Sequence, residues 1–81
     1  MPRVRIVRVD WDDAFIETSD FGVKEAKRTK GVARSTVGFL VAKNQHGYVL
    51  ATDKYTLKKD GEFAARMFIP KGMVTKVKNL T

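Results

Sequence analysis

The segment 36–53 constrains the fold more than any other stretch of the chain. Thr36-Val37-Gly38-Phe39-Leu40-Val41-Ala42 is a run of β-formers whose length suits a strand buried on both faces. Asn44-Gln45-His46-Gly47 follows as a tight turn, because Asn and Gly tolerate positive φ. Tyr48-Val49-Leu50-Ala51-Thr52 then returns, which predicts an antiparallel hairpin.

Three further strands are predicted around it. Residues 3–9 alternate arginine with valine or isoleucine and shift phase at Ile6-Val7, which predicts a strand with a bulge there. Residues 63–69 alternate Phe63, Ala65, Met67 and Ile69 with Ala64, Arg66 and Phe68, and Pro70 stops that strand. After Lys71-Gly72, residues 74–78 form the last one. The expected fold is all-β: a small five-stranded SH3-like or Sm-like barrel, closed by its first and last strands, with a long irregular loop over 10–35. An open five-stranded sheet with a helix over 20–30 is the alternative. Closure has a physical motive, since it removes edges that invite aggregation.

With 81 residues there is room for one domain, 1–81, and a core that is marginal without a partner. Cysteine is absent, so neither a disulfide nor a thiolate metal cage supplies stability. Large apolar residues on both faces of the strand over 63–69 therefore predict a homo-oligomer. The longest apolar run, Phe39 to Ala42, is far short of a membrane span. No signal-type segment is apparent, and the expected location is the cytoplasm.

Charge is the main functional signal. Lys and Arg total 16 against 9 Asp and Glu, a formal charge of +7 that favours an anionic partner. Lys24, Lys27, Arg28, Lys30 and Arg34 sit in the predicted long loop with Glu25 as the one acid among them. Lys54, Lys58 and Lys59 fall in a second loop, and Lys71 in a turn. Arginine forks two phosphate oxygens and lysine acts as a point charge, so these groups are the candidate ligand contacts, with Tyr55 beside them. Trp11, Phe21 and Tyr48 are candidates for stacking on a base, although Trp11 and Tyr48 suit the core equally well.

Catalysis finds little support. Ser19 and Ser35 are the only serines, and His46, the sole histidine, lies in a tight turn. The acids Asp10, Asp12, Asp13 and Glu17 lack the spacing of a calcium loop and read as a solvated patch facing nearby arginines. The six glycines are isolated, so no phosphate-cradling loop is present, and neither a metal nor a cofactor is expected.

Phe68-Ile69-Pro70-Lys71-Gly72-Met73-Val74 resembles the signature that precedes the last strand of the Sm-like family. That resemblance implies a small RNA-binding barrel, although the turn at 44–47 lacks the family's Asp-containing RNA loop. Val9-Asp10-Trp11-Asp12-Asp13-Ala14, Val37-Gly38-Phe39-Leu40 and Ile69-Pro70-Lys71-Gly72-Met73-Val74 are similar to segments of small phage proteins. This second resemblance implies a phage accessory protein in the host cytoplasm, of a kind that often sequesters nucleotide signals of host immunity. The expected function is thus a non-catalytic sponge for a phosphate-bearing nucleotide. A module for RNA or single-stranded nucleic acid is the alternative.

Overall fold

A computed structural model describes residues 4–57 and 61–81. Its first strand, β1 (Arg5–Asp13), points Val7, Val9 and Trp11 to one face and Ile6, Arg8 and Asp10 to the other. Chain order continues with a short helix α1 (Val23–Ala26), then β2 (Val32–Asn44), β3 (Gly47–Lys54), β4 (Phe63–Pro70), a 3-10 turn (Lys71–Met73) and β5 (Val74–Asn79). The strands form one antiparallel sheet in the order β4-β3-β2-β1-β5. The predicted pairing of first and last strands is present as β1–β5. Among the described residues no ladder joins β4 to β5, so the sheet is not closed by strand pairing.

The main core lies on one face, and Ala51, beside Phe39, is buried on the other. Val7, Val9, Trp11, Leu50 and Ile69 are buried in the main core, and Leu40, Met67, Met73, Val74 and Val77 pack against them. Trp11 donates its indole N–H to Thr36 Oγ1 at 2.9 Å, which satisfies the one polar atom the core's largest side chain carries.

Three expectations need correction. β2 is not buried on both faces: Val37, on the face opposite the main core, is 53% exposed. The long loop is shorter than 10–35, since β1 runs on to Asp13 and β2 begins at Val32. Aspartates disfavour strands locally, but cross-strand partners override that preference here. Arg34 Nε lies 2.9 Å from Asp13 Oδ2, and Ser35 donates to Asp10 Oδ1 at 2.8 Å. β1 has no bulge at Ile6-Val7; both residues are apolar because Ile6 sits opposite Phe39 on the outer face. The irregularities fall instead at Asp10/Trp11 against β5 and between Leu40 and Ala42 against β3.

The hairpin end is held tightly. Asn44 Oδ1 accepts from the backbone N–H groups of His46 and Gly47, and Lys71 N–H donates to His46 O at 2.9 Å. Gly47 has φ of 157° and no room for a side chain against the Ile69 carbonyl. At the other end β1 and β2 outrun the remaining strands, since β5 reaches only the Trp11 level while the β1–β2 ladder continues to Asp13 and Val32. Residues 14–31 project from that two-stranded ribbon as an arm, every residue exposed. The molecule is correspondingly long, 55 × 22 × 21 Å. No helix among the described residues is long and apolar enough to cross a membrane.

Candidate functional site in the arm

The arm gathers four of the predicted ligand contacts. α1 starts after Gly22, and its turn is prolonged by Arg28 N–H donating to Glu25 O and Thr29 N–H donating to Ala26 O, each near 3 Å. Thr29 Oγ1 also donates to Glu25 O at 2.9 Å. This prolonged turn places Lys24, Lys27 and Arg28 at i, i+3 and i+4, one side of the turn, all exposed. The apolar residues of the arm are exposed as well: Ile16 at 95%, Phe21 at 72% and Phe15 at 46%.

Between the outgoing and returning halves of the arm lies an open cavity of about 740 Å³. Phe15, Ile16 and Phe21 supply its apolar wall; Glu17, Glu25, Thr29 and Lys30 supply polar groups. Two carboxylates in the lining place a bound anion's charge toward Lys30 and the basic turn outside. They suit hydrogen-bond donors such as sugar hydroxyls or exocyclic amines. A flat ring fits against Phe21.

The remaining predicted contacts lie elsewhere. Arg34 belongs to β2, not a loop, and is engaged by Asp13. Lys54 is the last residue of β3, again a strand position where a loop was expected; Tyr55 follows it, with its N–H donating to Glu62 O. Lys71 is in the 3-10 turn beside His46, at the opposite end of the sheet from the arm. Along the 13 residues of β2 that separation is roughly 40 Å. Lys58, and Lys59 beside it, lie outside the described residues. Of the stacking candidates, Trp11 is in the core at 8% exposure and offers no free ring face. Tyr48 is half-buried and already carries Lys43 Nζ over its ring, 5.5 Å from the centroid. Phe21 alone is both exposed and beside the basic turn.

The outer face of the sheet carries charges that the sequence did not single out as a group. Register places Arg8 opposite Lys78 and Asp10 opposite Lys76. Arg8 holds Asp10 through Nε to Oδ1 at 3.1 Å and Nη2 to Oδ2 at 3.3 Å. The Ser35 hydroxyl does most to keep the Asp10 carboxyl below its ordinary pKa; burial opposes it, and Arg8 and then Lys76 lower it further. Period-2 alternation in β1 and β5 was the available signal, but only the ladder shows that the two sets share a face. Among the described residues no three His, Cys, Asp or Glu side chains gather in a way that suits a metal ion.

None of the protein-family models, curated proteins or solved structures compared with the chain matches it.

Proposed function

We propose that this chain is a non-catalytic binding protein for an anionic, phosphate-bearing nucleotide-type ligand, held at the arm in a homo-oligomer. One observation carries the reading: an open cavity with an aromatic, apolar wall lies directly beside a basic turn. A nucleotide offers a ring for Phe21, hydroxyls for Glu17 or Glu25, and phosphates for Lys30 in the lining, with Lys27 and Arg28 on the outer side of the turn adding positive charge. Separately, each feature is common on protein surfaces; their coincidence in one arm favours a ligand with all three properties. We further take the sheet to be of SH3-like or Sm-like type. The β1–β5 pairing and the 3-10 turn between β4 and β5 support it. With the resemblance to small phage proteins, the reading becomes a sponge for a host nucleotide signal.

A second reading, a module for RNA or single-stranded nucleic acid, is favoured by the distribution of bases. The arm, Lys54 and Lys71 are strung along a 55 Å molecule, farther apart than one small ligand spans. Salt separates the two. A protein neutralising six phosphates of a nucleic acid loses roughly 10³-fold or more in affinity between 50 and 200 mM salt. A nucleotide with two or three phosphates draws much of its affinity from stacking and desolvation, which salt barely screens. Labelled RNA and a panel of cyclic and linear nucleotides are titrated at both salt concentrations. The proposal expects a nucleotide that still binds at 200 mM salt and only weak, salt-sensitive RNA binding. Nanomolar RNA binding without a nucleotide hit overturns it in favour of the second reading.

A further inference from the structure

The chain leaves far more surface open than its mass requires. Its accessible surface is 6780 Å², against about 4,900 Å² for a compact monomer of this size. Its radius of gyration is 16.4 Å, where about 12 Å is usual for a compact domain of this length. The excess of about 1,900 Å² per chain exceeds the ~800 Å² that each partner contributes to a standard interface. Much of it is apolar, and two features are complementary.

The first is a knob. Ile16 is the most exposed large apolar residue among those described, with Phe15 before it and the acid Glu17 after it. The second is a groove of about 410 Å³ between β3 and β4. Val41, Val49, Ala51, Phe63 and Ala64 line it, and Arg66 stands in its wall. Ala65 has a φ of 60°, a conformation uncommon for a residue with a side chain, and it kinks the edge strand at the groove.

We propose that the arm of one copy docks on a second copy of this chain, with Ile16 seated in the β3–β4 groove and Glu17 paired with Arg66. The inference rests on the homo-oligomer of the preceding reading and names its interface. The groove lies at the level of residues 39–42 of β2, whereas the arm leaves β2 at Val32. That is roughly 25 Å along the strand, so the arm of the same chain does not lie on its own groove. In a two-fold dimer each copy gives its arm and offers its groove, so both contacts form twice.

Sedimentation equilibrium of the full chain over a micromolar range tests this. The wild type is expected above the 9.1 kDa of one chain. Ile16→Ser is expected to weaken association more than tenfold, and because Ile16 touches no core its circular dichroism remains native. Glu17→Arg and Arg66→Glu are each expected to weaken it by a similar factor, and the two together to restore it. A wild type that stays at 9.1 kDa overturns the inference. So does an oligomer indifferent to all three variants, or a charge-reversed pair that fails to recover. Nucleotide binding is measured on the wild type and on Arg66→Glu, at a position outside the ligand cavity. A monomer that binds nucleotide removes the interface and keeps the ligand; an arm-dependent oligomer that binds none does the reverse.

Discussion

Gly47→Ala is the substitution whose cost the structure fixes most narrowly. At an unconstrained position, replacing glycine by alanine stabilises a protein by about 0.4–1 kcal/mol, because the unfolded chain loses freedom. Here the new Cβ falls onto the Ile69 carbonyl oxygen and lies 3.0 Å from both Ile69 C and Lys71 N. All three are backbone atoms of the neighbouring strand end, so no side chain can swing aside. Relief requires either leaving φ near 157° or pushing β4 away at the Gly47–Pro70 pair. Without the first, holding φ near 157° costs a residue with a side chain about 1–3 kcal/mol. The second breaks the Lys71 N–H bond to His46 O, worth about 1 kcal/mol, and loosens fully buried Ile69. The steric cost wins, and the net loss is about 3 kcal/mol out of the roughly 4–12 kcal/mol expected for 81 residues. In a thermal melt followed by circular dichroism this lowers Tm by about 12–24 °C. Gly72→Ala is the control, since its Cβ meets nothing within 4 Å, and its Tm stays near the wild type. A Gly47→Ala melt within a few degrees of the wild type would refute the reasoning.

Three other outcomes are expected. Thr36→Val strands the indole N–H of buried Trp11 and costs about 1–3 kcal/mol in a urea titration; adding Trp11→Phe makes the Thr36 change far less harmful. Asp10 has a depressed folded-state pKa, so its stabilisation is present above the ordinary carboxylate range and disappears as pH falls below about 3.9. Asp10→Asn is therefore less stable at neutral pH and loses less on acidification, as acid-unfolding curves will show. Ala65→Gly relieves a backbone conformation that costs alanine about 1 kcal/mol, and it raises the urea midpoint; an unchanged or lower midpoint means the strand is unstrained there.

The strands were legible where a local pattern encodes them. Alternation gave β4, the Asn44–Gly47 turn gave the hairpin, and Lys71-Gly72 gave the turn into β5. The ends of β1 and β2 were not legible, because Asp12, Asp13 and Ala33 join strands through partners about twenty residues away. Open closure of the sheet was equally hidden, since strand order says nothing of how far a sheet curls. For the candidate site, basic charge pointed to the arm, and Phe21 was singled out beside it. Composition placed Arg34 with the arm lysines, but geometry gives it to Asp13. Lys71 shares their charge and lies at the far end of the molecule. Proximity in sequence was a fair guide only inside the arm, where the chain is one continuous turn.

The central claim is that the basic turn of the arm carries the ligand, and charge removal tests it most directly. Lys27, Arg28 and Lys30 are replaced together by alanine, and binding of the best nucleotide from the panel is compared with that of an Asp12→Asn, Asp13→Asn variant. All three bases are exposed and none supports the core, so folding is retained. Charge-assisted contacts to phosphate are among the strongest a surface makes. The triple variant should lose more than tenfold in affinity and the acidic variant little. An acidic variant that loses more than the basic one contradicts the account and points to a metal-dependent activity instead.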